Sequence, residues 1–160
     1  MQDPLWCWER AVQRAPLSPL MDANVPELRL VNRTQKAAVD LGAAFTPDDG
    51  RRVVVGHWDD RSRALDGATL LVNTTSLGMK GQPPLDLDLA LLPRRATVYD
   101  IVYVPLETGL LAAARARGNC CVDGLGMLLH QARVGFEAWF SQKVDVSAEQ
   151  RRAVAADLGA

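Results

Sequence analysis

From Val25 onward the apolar positions alternate between two periods: short runs of consecutive aliphatic residues, and longer stretches with apolar residues three and four apart. The first pattern predicts buried strands and the second predicts helices. Glu27 to Asn32 (ELRLVN) reads as a short strand, and Arg33 to Phe45 carries Ala, Val and Leu at helical spacing, so the two form one βα unit. Arg52 to Gly56 predicts another strand and Ser62 to Leu65 a short helix. Ala68 to Asn73 (ATLLVN) is the continuous apolar run of a parallel strand covered on both faces. Ala96 to Val102 repeats that pattern, Thr108 to Arg117 is a helix stopped by Gly118, and Cys120 to Val122 is a further short strand. A long helix follows over Leu125 to Phe140, on which Met127, Phe136 and Trp139 fall at helical spacing and predict core packing. Ser147 to Leu158 opens with Ser147 and Gln150 spaced for a capping box.

Strands alternating with helices through short Gly- and Pro-containing loops predict an α/β domain, a parallel sheet with helices on both faces. Ligands of such sheets sit beyond the carboxyl ends of the strands, which directs Asn32, Asn73 and the run Asp100 to Tyr103 toward one crevice. Residues 21–160 are expected to form this domain. Met1 to Leu20 fits it poorly, because Pro4, Pro16 and Pro19 oppose both a helix interior and a central strand. That segment is expected to be irregular, leaving the sheet incomplete at its N-terminal side.

Charge narrows the functions. Eighteen basic residues against nineteen acidic ones give a net charge of -1, so no global positive field gathers nucleic acid or an anionic membrane. The longest apolar runs fall far short of the roughly 20 residues that span a bilayer, and Met1 to Glu9 has no basic region ahead of an apolar core. A cytoplasmic protein is expected. Three cysteines, with Cys120 and Cys121 adjacent, match neither zinc spacing nor a disulfide framework and read as reduced and structural.

Candidate chemistry sits at the strand ends. Asn32-Arg33-Thr34 follows a strand directly, where a dinucleotide-binding fold meets the adenosine ribose. A carboxylate there would accept from a free 2′-hydroxyl, whereas an arginine offers a planar donor fork to a 2′-phosphate. This favours NADP over NAD; the plainer alternative is a solvated arginine at a helix start. Asn73 to Met79 (NTTSLGM) ends a buried strand with small hydroxyl residues and a glycine, which lets backbone approach a flat ring. Gly124 and Gly126 open a helix, offering free backbone N–H groups, or simply a tight turn into a core helix. His57 and His130 have no partner at metal spacing, so surface or packing roles are expected and no metal is.

In this order and spacing, Asn32-Arg33-Thr34, Asn73 to Met79, Tyr99 to Tyr103 with Pro105 and Thr108, and Asp123 to Leu128 with Gln131-Ala132 resemble the NADP-binding C-terminal domain of the shikimate dehydrogenase family. The resemblance covers about Met21 to Phe140 and implies a Rossmann-like fold and the reduction of 3-dehydroshikimate to shikimate, a step of aromatic amino acid biosynthesis. It implies that Asn32, Arg33 and Thr34 hold the 2′-phosphate and adenine, with Lys36 as an added cation. Thr74, Thr75, Ile101, Gly124 and Met127 would line the nicotinamide, and Tyr103 and Gln131 would contact the shikimate hydroxyls. The family's catalytic Lys and Asp belong to an N-terminal substrate domain with no counterpart here, so no catalytic residue is assigned and the chain alone is expected to be nearly inactive. A non-catalytic NADP-binding or oligomerisation module, a homodimer, and a quinate-specific relative stay open.

The family's glycine turn should precede Val25, yet Met1 to Leu20 contains no glycine. Trp6-Cys7-Trp8-Glu9 must be encoded TGG TGY TGG GAR, and reading two bases later forces Val-Leu-Gly. Continued to Pro16, the shifted frame permits Val-Leu-Gly-Ala-Gly-Gly-Ala-Ala-Arg-Ala, the phosphate turn of the family. A frame slip between about Ala15 and Leu20 is the expected cause.

Overall fold

The computed structural model of the chain describes residues 5–9, 25–45 and 52–158. Six strands, β1 (Leu5–Glu9), β2 (Glu27–Val31), β3 (Arg52–Gly56), β4 (Leu70–Thr74), β5 (Thr97–Asp100) and β6 (Cys120–Val122), form one sheet in the order β3-β2-β1-β4-β5-β6. Every neighbouring pair is parallel. Four helices accompany them among the described residues: α1 (Gln35–Phe45), α2 (Gly109–Ala116), α3 (Leu125–Phe140) and α4 (Ala148–Asp157). Trp58–Asp60 and Arg63–Leu65 are single 3-10 turns. The strand order, with its reversal between β1 and β4, is that of the Rossmann fold, and the crevice lies at that reversal.

Two apolar layers cover the sheet. On one face Val31, Leu71 and Val98 pack with Leu110, Leu111 and Ala114 of α2. On the other, Leu28, Leu30 and Val72 pack with Leu41 of α1 and with Tyr99 and Ile101. Because consecutive strand residues face opposite sides, Asn73 and Asp100 share the α2 face, while Thr74 and Ile101 share the α1 face. Gly42 of α1 approaches β3 so closely that an added Cβ would lie 2.9 Å from Val55 Cγ2. At the end of α2, Gly118 has φ +86, the left-handed stop that the sequence predicts. Ser147 and Gln150 form the capping box of α4 with both hydrogen bonds present.

Two expectations are corrected. Leu5–Glu9 is a strand between β2 and β4, with Cys7 opposite Leu30 and Val72, where irregular chain was expected. Trp6 and Trp8 are of the aromatic type enriched in strands, Pro4 precedes the strand, and Pro16 and Pro19 fall beyond it, so no proline removes a ladder donor. The rest of that segment lies outside the described residues. On α3, Trp139 is 81% exposed and Phe136 37%, so they are not core residues, and Met127 is only half-buried. Leu125 is the one fully buried side chain among those of α3. Helical spacing puts these apolar residues on one helix, but at Phe136 and Trp139 that helix stays open to solvent.

Candidate functional site

At the end of β2 the Asn32 side chain accepts the Thr34 N–H at 2.9 Å, turning the chain into α1. Thr34 O then accepts the N–H groups of Ala37 and Ala38. This turn leaves Arg33 and Thr34 exposed at the carboxyl edge of the sheet. Lys36 is also exposed, but its Nζ pairs with Asp40 at 2.6 Å, one turn along α1. An exposed pair of this kind holds its partners weakly, so Lys36 can still swing, yet its charge is already answered. Arg33 is the stronger of the two cations for an anionic ligand.

The loop after β4 uses its two threonines differently. Thr75 donates its hydroxyl to Asn73 Oδ1 at 2.8 Å and accepts Leu77 N–H at 3.1 Å, so that hydroxyl is committed to shaping the loop. Thr74 is 8% exposed, and its Oγ1 has no hydrogen-bond partner among the described residues. A buried hydroxyl is rarely left unmatched, because its desolvation is then uncompensated. Thr74 lies on the same sheet face as Ile101, toward the crevice.

Between β4 and β5 is a buried polar cluster. Asp100 is fully buried; its Oδ1 accepts Asn73 Nδ2 at 3.0 Å and Val102 N–H at 3.1 Å, and its Oδ2 accepts the Thr108 hydroxyl at 2.7 Å. Thr108 also accepts Leu111 N–H, capping α2. Burial pushes the Asp100 carboxyl above its ordinary range, against the hydrogen bonds from Thr108, Val102 and Asn73. Tyr99 is likewise raised, by burial first and then by the charges of Asp123 and Asp100. Sequence reasoning assigned Asp100 and Thr108 no role. The available signal was a carboxylate closing an apolar strand, followed by a threonine at a helix N-cap.

α3 begins against this loop. Asp123 accepts Leu125 N–H at 3.0 Å and also pairs with Arg151 of α4. Gly124 donates to Val102 O at 3.3 Å, and a Cβ on it would stand 2.1 Å from Ile101 O. The glycine is thus required by backbone contact. Gly124 and Ile101 meet, with Met127 one turn further along α3. Tyr103 is half-buried on the loop after β5, and Gln131 is exposed in the second turn of α3.

A cavity of about 610 Å³ lies apart from these groups, bordered among others by Val104, Leu111, Arg115, Cys121 and Asp123; none of the sequence-predicted site residues lines it. Among the described residues no cluster of His, Cys, Asp or Glu could hold a metal ion, and no helix is long and apolar enough to cross a membrane.

Residues 124–148 match the family model described as the shikimate 5′-dehydrogenase C-terminal domain. The shikimate dehydrogenase (NADP(+)) of Paramagnetospirillum magneticum is 58% identical over 138 residues, covering 86% of this chain and 49% of that protein. Among solved structures, a quinate dehydrogenase from Corynebacterium glutamicum in complex with NAD has a TM-score of 0.83 at 28% identity, over 96% of this chain and 55% of that one. A shikimate 5-dehydrogenase from Thermus thermophilus in complex with NADP(H) and shikimate has a TM-score of 0.77 at 25% identity, over 98% of this chain and 56% of that one. The chain spans about half the length of the curated relatives it matches. Sequence identity at this level over 86% of the chain, together with a fold shared with these dehydrogenases, makes it a member of the shikimate dehydrogenase family.

Proposed function

We propose that this chain, with β1 (Leu5–Glu9) inside its sheet, is the cofactor-binding part of an NADP-dependent shikimate dehydrogenase, which reduces 3-dehydroshikimate to shikimate. The observation that carries the cofactor choice is Arg33, exposed directly after β2 with no acidic residue in Asn32-Arg33-Thr34. A guanidinium fork matches a 2′-phosphate and offers nothing comparable to a free ribose hydroxyl pair. The unmatched, buried Thr74 hydroxyl fits a polar ligand group at the other end of the crevice.

When bound, the nicotinamide would supply the hydride. The residues of this chain would bind and orient: Arg33 at the phosphate, Asn32 and Thr34 through the turn that presents it, and Thr74 at the ring end. Ile101, Gly124 and Met127 would give a flat apolar wall, and Thr75 would contribute through the loop it shapes. Tyr103 and Gln131 would contact substrate hydroxyls. Asp100 is buried under three donors and Asp123 is held by Leu125 N–H and Arg151, so neither is free to deliver a proton to the reduced carbonyl. Turnover by these residues alone would forgo about 10²–10⁴-fold from general acid catalysis.

The likeness to a quinate dehydrogenase complexed with NAD supports a second reading, in which substrate and cofactor both differ. Calorimetric titration separates the two. NADP should bind more tightly than NAD, and Arg33→Ala should cost about 1.5–3 kcal/mol toward NADP alone, the range for hydrogen bonds to charged groups. Equal affinities in the unaltered chain would refute the assignment.

A further inference from the structure

We infer that Asp100 is a positioning residue for the dinucleotide, its carboxylate tying the loop after β4, the loop after β5 and the start of α2 into the one arrangement that receives the nicotinamide end. This rests on the dinucleotide reading above.

β4 and β5 end side by side, with Asn73 opposite Asp100 and Ile101 N–H donating to Asn73 O at 3.0 Å. Asp100 receives one bond from each of three segments: Asn73 Nδ2 from β4, Val102 N–H from its own loop, and the Thr108 hydroxyl from the α2 N-cap. The orientation of Asn73 is fixed, because its Oδ1 accepts both the N–H and the hydroxyl of Thr75. Thr74 follows Asn73, and Ile101 follows Asp100, by one peptide bond. Any slackening of the cluster is therefore passed directly to the two residues that face the crevice. The Arg33 turn is on β2, separated from β4 by β1.

An asparagine at position 100 keeps one oxygen for Asn73 and Val102 but turns an amino group toward Thr108. The Thr108 hydroxyl, which already accepts Leu111 N–H, can then no longer donate to this position. One of the three ties changes while the shape of the side chain is preserved, so Asp100→Asn is expected to fold.

Saturation-transfer NMR on the full chain with NADP as the probe reads both ends of one ligand. In the unaltered chain nicotinamide and adenine protons should both receive saturation. In Asp100→Asn, nicotinamide saturation relative to adenine should fall about fivefold, the factor for losing one ordinary hydrogen bond. Thr108→Val should lower the ratio in the same sense, and Thr108→Ser, which keeps the hydroxyl, should restore it. An unchanged ratio in folded Asp100→Asn would overturn the inference, and so would a parallel loss at both ends, which is what a general structural role gives. If Asp100→Asn does not fold, Thr108→Val against Thr108→Ser decides by the same ratio. No saturation at either end of NADP in the unaltered chain would overturn the dinucleotide reading and this inference with it, a result visible before any variant is made.

Discussion

Replacing Gly124 by alanine tests the contact that joins α3 to the crevice. An added Cβ would lie 2.1 Å from Ile101 O, 2.4 Å from Ile101 C and 2.8 Å from Val102 O, all of them backbone atoms. Real Cβ atoms essentially never come closer than 3.0 Å, so the helix start and the 101–102 loop must separate by roughly an ångström. No side chain can rotate away to relieve this. Overpacking of such a contact costs about 1–3 kcal/mol. Gly124 has φ -75 and ψ -12, a conformation alanine adopts freely, so the lower entropy of the unfolded alanine chain returns about 0.4–1 kcal/mol. The net expectation is a loss of about 1–2 kcal/mol, with about 2–4 °C of Tm for each kcal/mol in a chain of this size. Gly126→Ala is the control. Its nearest neighbour is Arg151 Nη1 at 4.0 Å, and inside a helix alanine gains about 0.5–1 kcal/mol over glycine. Urea denaturation of both variants should move the midpoints in opposite directions. A Gly124→Ala protein as stable as Gly126→Ala would refute the claim that backbone contact demands glycine there.

Two further outcomes follow from the titrating groups. Burial raises the Asp100 pKa from 3.8, so the native state holds that proton more tightly than the unfolded chain does. Its contribution is therefore fully present below the ordinary value and is lost as pH climbs through the raised one. Urea midpoints of the unaltered chain minus those of Asp100→Asn should fall with rising pH over that window, and a flat difference would count against the buried carboxylate. The Cys121 thiol is raised by burial and contacts Leu111 O at 3.6 Å, whereas Cys120 is exposed. Brief alkylation near neutral pH, mapped by mass spectrometry, should label Cys120 well before Cys121; equal labelling would contradict the packing of β6.

Local apolar runs carried the fold into view. Cys120–Val122 and Leu125–Phe140 coincide with the elements predicted from them. The sequence reads Ala68 and Ala96 as strand residues, but Ala68 N–H bonds Leu65 O and Ala96 N–H bonds Pro93 O, closing turns two residues before β4 and one before β5. An alanine in an apolar run does not distinguish these cases. The Arg33 turn was legible because its logic is local: an asparagine two residues ahead of an N–H, at a strand end. The Asp100 cluster was not, since its key partners Asn73 and Asp100 are 27 residues apart and meet only through strand pairing. Periodicity also cannot tell a buried helix face from an uncovered one, which is why Trp139 and Phe136 were placed in the core.

The N-terminal strand gives the remaining argument. β1 ends on Glu9, opposite Thr74 of β4, so the chain leaves the sheet at the middle of the crevice. In a sheet of this order, the turn after that strand is where backbone N–H groups meet a pyrophosphate, and glycine is what lets them approach. Here the strand closes on an acidic residue and runs into Arg10-Ala11-Val12, and the first glycine of the sequence is Gly42. Replacing the ten residues 6–15 by Val-Leu-Gly-Ala-Gly-Gly-Ala-Ala-Arg-Ala, the shifted-frame reading, keeps an apolar strand start and supplies the glycines. Two recovered N–H donors to a charged phosphate, at about 1.5–3 kcal/mol each, should tighten NADP binding by on the order of a hundredfold or more. Calorimetry on both versions, expressed side by side with soluble yield recorded, measures it. If the chain with Trp6 to Ala15 intact binds NADP as tightly as the replaced one, or is the more soluble of the two, then the frame-slip account of this segment is wrong.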